Sequence, residues 1–275
     1  MSAFWRRFAR SRPGVLGLAL LAFVVVMALS APVFFPGDPF QIVDRPFLPP
    51  FGKYLLGTDS LGRNLAAGLA YGARTSLLIG IVATTMAVVL GTVIGGLAGY
   101  YGGWIDDVLM RVSEFFQTIP YFIFVIVLVA ILSPSLKNII VAIAVVAWPP
   151  IARLVRGEFL AMRNREFVQA SICLGSSDLA IIFRDILPNC LSPIIVTGSL
   201  MVATAILIES ALAFLGLGDP NVMSWGFMIG SGRSFLRAAW WLCAIPGTAI
   251  LLAVLAINLV GEGLNDTLNP RLRNV

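Results

Sequence analysis

Asn164–Pro188 reads NREFVQASICLGSSDLAIIFRDILP, a polar interruption late in a chain that is otherwise mostly oily. Arg165–Leu174 carries a short helical pattern, with Phe167, Ala170/Ser171 and Leu174 on one stripe, and Gly175 stands where a left-handed cap with positive φ would end it. A second helix follows at once. Ser176, Ser177 and Asp178 offer N-cap oxygens, Leu179, Ile182, Phe183 and Ile186 repeat at helical spacing, and Pro188 opens the next hydrophobic span. A free-standing loop has no need of an apolar stripe, so this face is expected to pack into something other than lipid, such as a groove on a water-soluble partner.

The surroundings of that stretch are those of a membrane. At 59% hydrophobic, 12% charged and a mean hydropathy of +0.93, the chain has too little polar surface to coat a soluble globule of 275 residues. There is no histidine, which excludes imidazole acid–base chemistry and His-ligated zinc. Cys173, Cys190 and Cys243 lie far apart with no CxxC pair, so they read as small apolar residues. No catalytic, cofactor-binding or metal-ligating set emerges. A net charge of +5 could point to nucleic acid, but the arginines cluster at the ends of hydrophobic runs, as membrane orientation requires.

Six charge-free runs follow one another: Pro13–Gly37, Thr75–Ile105, Phe115–Leu136, Asn138–Ala152, Ile186–Ile208 and Ala238–Gly261. A helix needs ~20 residues to cross the hydrocarbon; the Asn138 run falls short and is expected to continue past Arg153, whose side chain can snorkel. The first run resembles a signal peptide at Ala28-Leu29-Ser30-Ala31, yet its apolar character continues through Val33-Phe34-Phe35, and it reads as an uncleaved span. Asp38–Ala73 is rich in proline and glycine and reads as extended chain, with a short amphipathic helix capped by Thr58 or Asp59 and running to about Tyr71. The division is therefore residues 1–73, one span and an outer segment, and residues 74–275, a five-span core carrying the loop at 164–188.

Twelve of the lysines and arginines fall on the side of the N-terminus and the 164–188 loop, the tail residues Arg271 and Arg273 among them, against seven on the other. That bias predicts both termini and the loop in the cytoplasm. Gly91, Gly95, Gly99 and Gly103 recur every fourth residue and would let another helix approach closely, a packing role preferred here to lining a pore. Pro120, Pro149, Pro150, Pro193 and Pro246 predict kinked or interrupted helices. Glu209 is the one acid deep in an apolar context; without histidine or a second buried acid it suits a structural hydrogen-bonding role better than a proton relay.

Gln169-Ala170-Ser171, three residues, Gly175, and then Leu187-Pro188 resemble the EAA loop of ATP-binding-cassette importer permeases. That consensus is Glu-Ala-Ala, three residues, Gly, nine residues, Ile, any residue, Leu-Pro; Ala170, Gly175, Leu187 and Pro188 keep it, while Gln169, Ser171 and Asp185 depart. Further similarity lies in LLGTDSLGRN (Leu55–Asn64), YGARTSLLIG (Tyr71–Gly80), AGYYGGWIDDVLMR (Ala98–Arg111), AFLGLG (Ala213–Gly218), SWG (Ser224–Gly226) and LNDTLNPRLR (Leu264–Arg273). Together these resemble the C-type permease subunit of the dipeptide, oligopeptide and nickel importers.

The resemblance implies an all-α membrane protein with six transmembrane helices and the type I importer permease fold, its cytoplasmic coupling helices between spans 4 and 5. It implies that Glu166, Gln169, Ala170, Ser171, Leu174, Gly175, Ser176, Ser177, Asp178, Leu187 and Pro188 form the ATPase-coupling loop. Around the Gly175 turn, Leu174, Ser176 and Asp178 would face the ATPase, and Phe183 would anchor the second helix to the bundle. The implied partners are a second homologous permease, two ATPase subunits that bind ATP and Mg, a periplasmic or lipid-anchored binding protein, and lipid, in a bacterial inner membrane. Peptides are the implied cargo, with nickel chelates, glutathione and oligosaccharides as alternatives. The chain is not expected to be an enzyme: Lys53 and Lys137 sit in FGKY and SLKN, neither of which is a phosphate-cradling GxxxxGK[ST] loop. An ion-coupled secondary transporter would call for paired intramembrane acids or inverted repeats, and neither is seen.

Overall fold

The computed structural model describes residues 2–268 and is all-helical, with five helices long and apolar enough to cross a membrane and one bent pair that makes a sixth candidate span. The tail arginines Arg271 and Arg273 lie outside the described residues. A short helix α1 (Ser2–Phe8) leads into α2 (Arg12–Phe34), where Ser11 caps by accepting from the Gly14 amide. The helix lies close against the last one, α11 (Trp241–Leu268): a Cβ at Gly17 would stand 2.6 Å from the Leu259 Cβ.

Between α2 and the next helix the chain is extended, as its prolines predict, but it is ordered by a buried hydroxyl. Thr58 Oγ1 accepts from the Leu48 amide at 2.9 Å and donates to the Arg45 carbonyl at 2.7 Å. The expected short helix does not start at Thr58 or Asp59 and does not end near Tyr71; its second half is the opening of a longer helix. Gly62 turns with φ of 81°, Asp59 caps local amides of Leu61 and Arg63 instead, and α3 (Leu65–Tyr101) starts from Asn64, whose side chain accepts from the Ala66 amide. The second span thus begins ten residues earlier than its charge-free run, absorbing Arg74, and its 37 residues reach about 55 Å at ~1.5 Å per residue.

The third run does not make a straight span either. After Gly102 and Gly103, both at positive φ, α4 (Gly103–Thr118) and α5 (Tyr121–Leu132) meet at an angle of 87°. Pro120 forces Ile119 into extended backbone and the helix breaks there. Then α6 (Leu136–Arg163) runs well past Arg153, as the short fourth run requires. It packs along α3 over the glycine stripe. A Cβ would come within 2.7 Å of Ile151 at Gly91, 2.2 Å of the Ala152 carbonyl at Gly95 and 2.6 Å of Phe159 at Gly99. Gly103 does not join them: α3 has ended, and nothing lies within 4 Å of its Cβ position.

The remainder is α7 (Glu166–Cys173), α8 (Asp178–Ala180), a π-helical stretch Ile181–Ile186, α9 (Leu187–Phe214), α10 (Trp225–Gly232) and α11. From Asp178 to Phe214 the helix is continuous.

Candidate functional site

The 164–188 loop is a helix, a turn and a second helix, and each join has a local cause. α7 ends in a pair of backbone bonds, from the Gly175 amide to the Ile172 carbonyl at 3.0 Å and from the Ser176 amide to the Ser171 carbonyl at 3.1 Å. This is the Schellman arrangement, which needs a left-handed residue where Gly175 sits with φ of 75°. Of the three candidate caps for the second helix, Ser177 serves, its oxygen accepting from the Ala180 amide. Asp178 instead accepts a hydrogen bond from the Tyr100 hydroxyl at 2.8 Å. Gln169 donates to the Arg163 carbonyl at 3.1 Å and so ties α7 to the end of α6.

The loop is fastened at its base and open at its tip. Val168, Ile181, Ile182 and Ile186 are buried in one cluster with Ile151, Val155, Phe159, Cys190 and Ile194. Residues 172–180 are exposed without a gap, Leu174 at 85% and Leu179 at 67%. Glu166 and Ala170 are exposed as well, Ser171 is half-buried, and Leu187 and Pro188 continue into α9.

Phe183 corrects the expectation that it anchors the second helix, since it is 62% exposed. The π stretch is the reason. Its wider turn shifts the faces from their 3.6-residue spacing, so that Ile181, Ile182 and Ile186 point inward and Phe183 outward. Val168 and Ile181 lie off the Phe167–Leu174 and Leu179–Ile186 stripes of the sequence pattern, which is why the pattern does not single them out.

At the far end of α9, Glu209 is buried at 3% exposure and accepts from the Ser224 hydroxyl at 2.7 Å. Ser224 in turn caps α10 by accepting from the Phe227 amide at 3.0 Å. The next residue, Trp225, is fully buried, its amide donating to Ser76 Oγ at 3.3 Å and its indole to the Leu69 carbonyl at 2.9 Å. The Glu209 carboxyl therefore fastens α10 between α9 and α3. Its partner Ser224 and the neighbouring Trp225 lie in the Ser224–Gly226 motif, which carries the signal without showing what it contacts.

Residues 91–274 match the family described as binding-protein-dependent transport system inner membrane component, and residues 1–50 match the N-terminal TM domain of oligopeptide transport permease C. The chain is 40% identical to the di/tripeptide transport system permease protein DppC of Pseudomonas aeruginosa (strain UCBPP-PA14), over 100% of this chain and 93% of that protein. It is likewise 40% identical to the dipeptide transport system permease protein DppC of Bacillus subtilis (strain 168), over 98% of this chain and 85% of that protein. Among solved structures, a chain of the MetNI methionine ABC transporter in an inward-facing conformation superposes with a TM-score of 0.61 at 19% identity, covering 74% of this chain and 96% of that one. The fold is shared with that transporter chain.

Proposed function

The chain belongs to the family of binding-protein-dependent transport system inner-membrane components, and from that premise we propose that it is a permease subunit of an ATP-driven importer of di- and oligopeptides. The observation that carries the coupling part of this reading is the exposed tip at residues 172–180, with Leu174 and Leu179 bare on a loop whose base is buried. A monomer gains nothing from holding large apolar side chains in water, whereas a groove on a partner would bury them at roughly 25 cal/mol per Å².

In this reading each of two ATPase subunits, which bind ATP and Mg, seats one permease loop. A second homologous permease completes the pathway, and a periplasmic or lipid-anchored binding protein delivers cargo. Closure of the ATPases moves the two loops together and reorients the bundles, giving alternating access. Peptide cargo is supported by the names of the relatives above, which gives it preference over nickel chelates, glutathione or oligosaccharides.

Purifying the permease with its ATPases tests the docking surface. Leu174→Asp is expected to leave the permease folded and stripped of ATPase; full stoichiometric retention would place the docking surface elsewhere. The sides are tested separately. A cysteine replacing Ser177 should react only with reagent on the cytoplasmic side and one replacing Asn221 only from outside, and reversed labelling would overturn the orientation.

A further inference from the structure

Among the described residues, the exposed tip makes one side-chain hydrogen bond to the rest of the bundle, and that bond ends at a helix junction. Tyr100 lies in the last turn of α3. Its hydroxyl donates to Asp178 Oδ1 at 2.8 Å, while its carbonyl accepts from the Arg163 guanidinium at 2.9 Å. That carbonyl is one of those a helix leaves unpaired at its C-terminus, where a cation is favoured both as a donor and by the helix dipole. Tyr100 is thus held on one side by the second loop helix and on the other by the end of α6.

Directly after it the chain turns through Gly102 and Gly103, with φ of 67° and 54°. Neither glycine has a side chain to resist rotation, and the space around the Gly103 Cβ position is open. Past the turn, Asp106 of α4 is gripped by Arg156 of α6 through both carboxylate oxygens. Apolar contact at Val168 and Ile182 is non-directional. The Tyr100–Asp178 bond is directional.

We propose that Tyr100 is a positioning residue that ties the loop tip to the α3–α4 turn, so that displacement of the loop is delivered to α4 through its glycine hinge. This rests on the reading of the loop as the ATPase dock. A role in packing alone is the competing account: the Tyr100 ring meets Tyr101 edge to face at 5.1 Å, and in that case the hydroxyl is dispensable.

The test uses the assembled complex with its ATPases, carrying spin labels at Phe115 of α4 and Leu251 of α11, both exposed. The interlabel distance is compared between the nucleotide-free and the ATP–vanadate-trapped complex. A hydrogen bond to a charged acceptor that one of two states keeps and the other breaks shifts their equilibrium by up to about tenfold. Tyr100→Phe is therefore expected to keep its ATPases and lose most of the distance change, while Tyr101→Phe keeps the full change. A wild-type distance change in Tyr100→Phe overturns the latch and leaves ATPase docking standing. So does the absence of any change in the wild type. Loss of the ATPases from Tyr100→Phe also overturns it, by making Tyr100 part of the dock. Retention of the ATPases by Leu174→Asp is a different failure, that of the docking reading itself.

Discussion

Two short segments between long helices, α10 and the tip of the 164–188 loop, are treated in opposite ways. α10 is fixed at its start and packed along one face: Ser224 and Glu209 hold its first turn, Trp225 is fully buried, and Gly226 and Gly230 lay its backbone on α9, where a Cβ would come within 2.6 Å of Ser210 Cα and the Ala213 carbonyl respectively. The loop tip around Gly175 has similar ingredients, a capping serine, an acid and large apolar side chains, and buries almost none of them. Nothing lies within 4 Å of the Gly175 Cβ position. A glycine can be required by neighbours or by its own backbone angles. The first kind marks a place where the chain packs on itself, and the second, beside bare leucines, marks a surface left for another chain.

A large effect should come from confusing the two kinds. Gly226→Val would drive a branched side chain into α9 backbone and into the Glu209 carboxyl, 3.2 Å from the Cβ position, a clash expected to cost about 3 kcal/mol. Gly175→Ala meets no atom and bears only the left-handed backbone, ~1 kcal/mol. Thermal unfolding in detergent should show the first variant poorly folded and the second close to wild type. Equal losses would abolish the distinction.

Next in size is Glu209→Ala. It leaves the Ser224 hydroxyl without its acceptor in a buried site, a cost of about 1–3 kcal/mol. Because Ser224 also caps α10, the loss should appear as faster amide exchange of α10 with α6 and α3 unaffected. Glu209→Gln, which keeps a carbonyl oxygen for Ser224, is expected to restore protection. A variant lacking both carboxyl and amide that still protects α10 would show that Trp225 alone secures the helix.

Much of this was legible in residue order, and what was not has identifiable causes. The glycine stripe on α3 was readable because three of its members meet α6 by spacing alone; Gly103 was not, since a periodic pattern does not reveal where the helix stops. The Gly175 turn was readable because backbone angles are a local property. The sharp bend at Ile119–Pro120 was hidden in a run whose composition is uniform, proline marking an interruption without giving its angle. The start of α3 is not legible from charge-free length, because the helix runs through an exposed Arg74. Tyr100 and Asp178 are far apart in sequence, and no local pattern could pair them.

The smallest expected effect is the sharpest test of the tip. Phe183 is the largest apolar side chain of the second loop helix, and by helical spacing it belongs with Ile182 and Ile186. If the π stretch sets the faces as described, Phe183→Ala removes an exposed ring and should change permease stability by no more than ~0.5 kcal/mol. Its neighbour Ile181, 1% exposed, should cost about 2–5 kcal/mol on truncation to Ala, because the cavity opens inside the cluster of Ile151, Val155 and Phe159. Thermal unfolding of the two variants side by side decides the register of the helix. A regular helix would make Phe183 the costly residue. A null result at Phe183 with a large one at Ile181 places Phe183 on the same outward surface as Leu174 and Leu179, enlarging the apolar area offered to a partner.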